Sequence, residues 1–351
     1  MLKSNTLGYS VYVSTWPILK SKLSSLYSEG SFIFTSLHIE EEIKQPHYVD
    51  TVFEMTQALK TMGYRIIADV SPRTLNALNV PDFKTLVETY HLDVLRCDFG
   101  FTFDDLIEIG SYCDLCVNAS MSEDGLVDLK SKISHQLTAM HNFYPRPETG
   151  LDLDQLKLKN KVFQDHAISL YAFIPSDIDP RRGPLYSGLP TCEVHRTTSP
   201  LVGIIDCLEN GIDHVIVGDS VLSDHQVEVC QCYLQNRVIT LPCEINDLEQ
   251  LKNHSVMTIR SDSPKDVLRL LESRLYATSG QSISPHNTIH RSRGSITLDN
   301  ELYLRYSGEV QILKKEFNAD ERVNVIGKVK DLQLLDRCQP GMKLRLMKEK
   351  Q

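Results

Sequence analysis

The chain has 351 residues and a formal net charge of −9, from 37 Lys+Arg against 46 Asp+Glu. Its 41% hydrophobic and 24% charged residues are the composition of a globular protein, which excludes wholesale disorder. The acidic balance argues against a general nucleic-acid binder and a polybasic membrane-surface protein, and no stretch approaches the ~18 apolar residues of a membrane span.

Met1-Leu2-Lys3-Ser4-Asn5 carries one positive charge, and Ser14, Thr15 and Pro17 soon interrupt the apolar residues, which is not the pattern of a secretory signal. Strand-like apolar runs then recur at Gly8–Ser14, Phe32–Leu37, Arg65–Val70, Val94–Asp98, Leu115–Asn118, Leu137–Asn142, Leu170–Ile174 and His214–Gly218. Helix-like stretches lie between them, among them Tyr48–Met62, Phe83–Tyr90, Phe103–Ser111, Leu153–Phe163, Pro200–Asn210 and Ser223–Leu234. Ser199–Pro200 reads as a helix start and Asn210–Gly211 as a stop. Eight strand–helix units in about 235 residues fit an α/β (β/α)8 barrel of the TIM type; a doubly wound open sheet is the competing arrangement. The barrel is favoured because polar residues end nearly every strand: His38, Asp69, Asp98, Asn118, Asn142, Asp177 and Asp219. In a barrel these ends meet on one rim.

Beyond residue 235 the pattern turns to short strands at Val238–Leu241, Val256–Ile259, Ser295–Leu298, Tyr303–Tyr306, Glu309–Leu313, Val323–Val325 and Leu344–Met347, with one helix at Pro264–Leu275 and a long loop at Thr278–Arg293. A catalytic barrel over 1–235 and a small, mostly β domain over 236–351 are expected. Residues 1–235 carry 18 Lys+Arg and 31 Asp+Glu, whereas 236–351 carry 19 and 15, so the barrel is strongly acidic and the second domain mildly basic. The nine cysteines, such as Cys97, Cys207 and Cys243, sit mostly in apolar runs and read as reduced core residues of a cytosolic protein. Cys113-x-x-Cys116 has no second ligand pair, and Cys230 and Cys232 point apart on a helix, so no metal is expected. No Gly-x-Gly-x-x-Gly follows the first strand and no Walker sequence is present, so no nucleotide cofactor is expected.

Several segments carry chemistry. In Ser36-Leu37-His38, the histidine at a strand end is either a hydrogen-bonded core residue or a site residue. Asp69-Val70-Ser71-Pro72-Arg73 offers a helix start beside Arg73, a phosphate or carboxylate cradle. Arg96 and Asp98 share one strand face, as a structural pair or as a catalytic Asp98 oriented by Arg96. His141-Asn142-Phe143-Tyr144-Pro145-Arg146-Pro147-Glu148-Thr149-Gly150-Leu151 is the most distinctive run. Its prolines fix a binding loop, Arg146 can fork onto an anion, and Tyr144 or Phe143 can stack on a sugar face. In the loop after strand seven, Glu193 is a candidate general acid, and His195 and Arg196 are candidate anion ligands. Gly218-Asp219 lies where barrels often build phosphate sites. Together these suit acid–base work on a polar, anionic small molecule.

The 141–151 run resembles the signature of the bacterial 6-phospho-N-acetylmuramidases, a glycoside hydrolase family long described as uncharacterised or as "outer surface protein". Similar segments follow the chain in order: Thr35-Ser36-Leu37-His38-Ile39, Asp69-x-Ser71-Pro72, Arg96-x-Asp98-x-Gly100, Asn118-Ala119-Ser120, Gly183-Pro184-Leu185-Tyr186-x-Gly188-Leu189-Pro190-Thr191, Glu193-x-His195-Arg196 and Gly218-Asp219. In the second domain they are Arg293-Gly294-x-Ile296-Thr297-x-Asp299-Asn300, Arg305-Tyr306-x-Gly308-Glu309-x-Gln311-Ile312 and Asp320-Glu321-Arg322-Val323-Asn324-Val325-Ile326-Gly327. Departures are Tyr12-Val13 where Tyr-Pro is expected, Ser220 where proline is expected after Gly218-Asp219, and Glu148 at an expected aromatic position.

The resemblance implies a barrel followed by a cyclophilin-like domain. It also implies a phosphorylated amino-sugar disaccharide as substrate, N-acetylmuramic acid 6-phosphate β-1,4-linked to N-acetylglucosamine. Cleavage would belong to cytoplasmic peptidoglycan recycling. On the residues themselves, Glu193 is the first choice for general acid and Asp98 for the second carboxylate, with Asp69 and Asp219 in reserve; a substrate-assisted route, in which Asp98 orients the 2-acetamido group, is also open. Arg73, Arg146, Arg196 and His195 are candidates for the 6-phosphate and the lactyl carboxylate, and His38, Arg96, Asn118, Asn142, Tyr144 and Asp219 for the rest of the substrate. The alternatives are a phosphosugar lyase or isomerase and a non-catalytic carbohydrate-binding protein.

Overall fold

In the computed structural model, which describes residues 6–245, 256–277 and 282–348, eight parallel strands close on themselves: β1 (Gly8–Ser10), β2 (Phe32–Ser36), β3 (Arg65–Val70), β4 (Val94–Cys97), β5 (Asp114–Asn118), β6 (Leu137–Met140), β7 (Ser169–Ile174) and β8 (His214–Val217). Tyr9 of β1 stands beside Ile33 of β2 on one side and Val217 of β8 on the other, which completes the ring. The strands are continuous apolar runs because both faces are covered, one by the helices and one by the barrel interior. Alternate residues point inward, so Phe32 with Phe34 and Tyr171 with Phe173 fill the bore together with Ile67, Val94, Cys116, Met140 and Ile216.

Local signals set the helices between the strands. Asp82 accepts the Thr85 N–H to start Phe83–Tyr90, and Asp152 accepts the Gln155 N–H to start Leu153–Asp165. Thr102 and Asp105 form a reciprocal capping box at Phe103–Ile109. Each such cap stabilises by about 1 kcal/mol. Tyr48–Met62 stops at Gly63, whose φ of 97° favours glycine. The first strand is shorter than the apolar run predicts, because the chain turns at Tyr12, whose carbonyl accepts the Thr15 and Trp16 N–H groups.

The chain divides into two compact units, Met1–Gln231 and Cys232–Gln351. The second is built on one mixed sheet of β9 (Val238–Ile245), β10 (Met257–Thr258), β11 (Val267–Arg269), β12 (Ser295–Asp299), β13 (Val310–Leu313), β14 (Val323–Val329) and β15 (Lys343–Lys348), in the order β10-β15-β9-β14-β12-β13-β11. Among the described strands of this second sheet, only the β9–β15 pair is parallel.

Two expectations for this unit are corrected. Tyr303–Tyr306 is not a strand but the end of a 3-10 segment, Glu301–Tyr306, in which Leu304 has φ 54° and is exposed. Asn300 caps that segment by accepting the Leu302 N–H. The helix expected at Pro264–Leu275 is only Leu271–Ala277, and a turn at Arg260–Ser263 and the strand β11 precede it. Of the long loop, residues 282–290 have no regular structure and 278–281 lie outside the described residues. All nine cysteines are free, and Cys232 is the only one not fully buried. Among the described residues, no helix is long and apolar enough to cross a membrane.

Candidate active site

Strand register assembles the centre of the rim. Ser36 stands beside Asp69, and Asp69 beside Arg96, at the ends of β2, β3 and β4. Arg96 is buried, and its guanidinium reaches three acceptors. Nη1 lies 2.5 Å from Asp69 Oδ1 and 3.2 Å from Asp98 Oδ1, and Nη2 donates to Asn142 Oδ1 after β6. His38 Nε2 lies 3.8 Å from Asp69 Oδ2 and 3.7 Å from Asp98 Oδ2. Two carboxylates thus face the same arginine and the same histidine.

Their environments differ. Asp69 is buried and also accepts the Ser36 hydroxyl at 3.1 Å, whereas the Asp98 side chain is 26% exposed. Burial pushes the Asp69 carboxyl above its usual range, against the pull of Arg96 and His38. Burial disfavours charge on Arg96, but Asp69 and Asp98 more than offset it and hold the guanidinium firmly protonated. The pairing at positions 96 and 98 is therefore real, and it extends to Asp69.

This cluster forms one wall of a cavity of about 750 Å³. Phe34, Phe143 and Phe173 make its apolar floor, edge to face with ring centroids 5.1–6.3 Å apart. Tyr144 and Tyr186 add aromatic surface. A second polar pole carries Ser14, Glu42 and Arg182. Glu42 accepts the Ser14 N–H and hydroxyl, each at 2.8 Å, and pairs with Arg182 Nη2 at 3.0 Å. Sequence reasoning missed this pole. Glu40-Glu41-Glu42 reads as a solvated helix start, and Arg182 stands beside Gly183-Pro184 in a loop whose course sequence spacing does not give.

Asp69, Asp98, His38, Arg96, Asn142 and Tyr144 come together at the cavity; the other predicted site residues do not line it. Glu193 is gripped by Arg196, Nε to Oε1 at 2.6 Å and Nη2 to Oε2 at 2.7 Å, and accepts the Gly150 N–H at 2.9 Å. The arginine holds the Glu193 carboxyl down at about 2. Arg196 also donates to the carbonyls of Tyr144, Arg146, Ser187 and Gly188. It therefore ties the 141–151 loop to the 187–196 loop instead of binding an anion. Gly150 is required at this junction, since a Cβ there would lie 2.7 Å from the Glu193 nitrogen.

His195 is fully buried, with Nε2 3.3 Å from Asp206, so it is a core histidine. Asp219 is buried and accepts the backbone N–H groups of Ser176, Arg182 and Leu189. Asn118 donates to Asn142 Oδ1 at 3.0 Å without lining the cavity. Arg73 and Arg146 are exposed. The cradle expected at Arg73 does not form: the helix Arg73–Ala77 has five residues, and Ser71 does not cap it but donates its N–H to Thr74 Oγ1.

One donor atom each from His38, Asp69 and Asp98 lie within 4.8 Å of one another, a spacing that suits a single cation. Arg96 already supplies positive charge to both carboxylates, which lessens their need of a metal.

Two family models match the chain. The family model described as 6-phospho-N-acetylmuramidase, N-terminal, matches residues 7–232, and that described as 6-phospho-N-acetylmuramidase, C-terminal, matches 239–347. No curated protein is matched. Among solved structures, a conserved Enterococcus faecalis protein of unknown function is 27% identical, with a TM-score of 0.82, covering 98% of this chain and 96% of that one. An uncharacterized B. cereus protein is 23% identical, with a TM-score of 0.77, covering 99% and 100%, and shares the fold. With both halves matched, the chain belongs to the 6-phospho-N-acetylmuramidase family of glycosidases.

Proposed function

We propose that the chain hydrolyses the β-1,4 bond between N-acetylmuramic acid 6-phosphate and N-acetylglucosamine, in cytoplasmic recycling of peptidoglycan, with catalysis in a barrel domain over 1–235 and a separate β domain over 236–351. The family match supports the substrate class, and the nine free cysteines support a reducing compartment. The observation that carries the reading is the Asp69–Asp98 pair, bridged by Arg96 and His38 on the wall of an aromatic-floored cavity.

Asp98 is the more exposed of the pair, both of which line the cavity, and in this reading it touches the sugar. It gives a proton to the leaving oxygen and takes one from the attacking water. His38, 3.7 Å from the Asp98 carboxyl, flanks it, and Arg96 and Asn142 fix the geometry. With Asp69 buried and held by Arg96 and Ser36, the sugar's own 2-acetamido oxygen serves as the partner at the anomeric carbon, a substrate-assisted course with net retention. Tyr144 and the phenylalanine floor take the sugar faces.

Hydrolysis in 18O-water tests the reaction class: one heavy oxygen enters the released phosphosugar, and a product without it means a lyase or isomerase. The anomer first formed, read by NMR, tests the course, and inversion would overturn substrate assistance.

A further inference from the structure

Among the described residues lining the cavity, the arginines are Arg96 and Arg182. Arg96 is committed to Asp69, Asp98 and Asn142, and Arg196 to loop carbonyls and Glu193. Arg182 is held differently. Its guanidinium carbon lies 3.7 Å from the centre of the buried Tyr12 ring. Glu42 takes Nη2, and Asp219 takes the Arg182 backbone N–H at 3.1 Å. The Tyr12 hydroxyl is itself fixed to the Gly218 carbonyl at 3.0 Å. Yet Nε is buried without a hydrogen-bond partner, and a guanidinium offers five N–H donors in a rigid fork. A buried, charged donor left unmade is costly. This one belongs to a preorganised fork at the edge of a cavity that is otherwise rich in carboxylates.

We infer that Arg182 is the receptor for an oxyanion on the bound sugar, either the 6-phosphate or the lactyl carboxylate; this rests on the phosphosugar reading above. Glu42 orients the fork, and its charge leaves the pole neutral when no ligand is present. An anionic sugar then offers acceptor oxygens to the guanidinium N–H donors that Glu42 leaves unmade. An acidic barrel thereby accepts an anionic substrate through a single guanidinium, on the same cavity that Asp98 lines.

The test is calorimetric titration of wild type and Arg182→Gln with N-acetylglucosamine 6-phosphate, N-acetylmuramic acid and plain N-acetylglucosamine. Turnover is not needed, so failure to cleave the disaccharide would sink the hydrolysis reading and leave this result standing. Expected is a loss of about 10–150-fold on one or both anionic sugars, with plain N-acetylglucosamine unaffected; the sugar that weakens identifies the anion. Arg182→Lys should recover part of the affinity, since it keeps the charge and loses the fork. Equal loss on all three sugars, no loss on either anionic sugar, or failure of the wild type to bind either, overturns the proposal.

Discussion

Arg196 holds Glu193 by both carboxylate oxygens, three residues away on a 3-10 turn, and the same guanidinium closes two rim loops together. Glu193 is thus a fastening of the loops. Glu193→Gln is expected to lower the melting temperature while turnover of the phosphorylated disaccharide stays within about 10-fold of wild type. A loss of several decades in kcat with an unchanged melting temperature would restore Glu193 as the acid.

The same pair sets an acid limit on stability. The Glu193 carboxyl sits at about 2 when folded, against 4.5 for the free group, so its contribution is present above 4.5 and is lost as pH falls from 4.5 towards 2. After discounting for its partial exposure, the contribution is about 1–2 kcal/mol. Urea unfolding at several pH values should show wild type losing more stability than Glu193→Gln over that window.

Asp98→Asn should lose about 10³-fold or more in kcat on the phosphorylated disaccharide while unfolding at nearly the wild-type temperature, because the side chain is partly exposed at the rim. Near-wild-type turnover would remove Asp98 from the reaction.

Arg96 serves two carboxylates, one of them fully buried. Arg96→Gln is expected to destabilise by about 3–5 kcal/mol, since it leaves Asp69 without its cation. Adding Asp69→Asn should return a large part of that loss. Chemical unfolding of the two single variants and the double variant measures the coupling; simple additivity would show the pair to be energetically independent.

In the second unit, Asp299 is buried beside Glu309, and its carboxyl is pushed up to about 7 by burial first and by Glu309 and Asp320 next. The unfolded chain gives up that proton near 3.8 and the folded chain near 7, so stability falls as pH rises between the two. Asp299→Asn should therefore raise the melting temperature at pH 8 and leave it almost unchanged below pH 4. A uniform shift at both would place the effect in packing.

Much of this was legible in the sequence because parallel strands buried on both faces are unbroken apolar runs, and because a barrel sends every strand end to one rim. That logic found His38, Asp69, Arg96, Asp98 and Asn142, which lie on strands or directly after them. It failed on loops, where chain direction depends on distant partners. His195 and Arg196 look like rim ligands beside a helix start, yet the 3-10 turn Glu193–Thr197 buries both. Glu42 and Arg182 are 140 residues apart in the chain and meet only after folding. In the second unit, the alternating Tyr303-Leu304-Arg305-Tyr306 reads as a strand, but Asn300 caps a tight turn there, and local hydrogen bonding overrides period-two patterning.

The guanidinium of Arg96 starts on β4 and ends on side chains carried by β3 and by the segment after β6. It is therefore a crossbar over the mouth of the barrel, skipping β5. Its planar fork fixes how far apart the Asp69 and Asn142 side chains stand, so their spacing and the charge facing the carboxylates are governed by one residue. A lysine there would preserve the charge and lose that spacing, on a rim whose strands are already held in register by the closed backbone ladder.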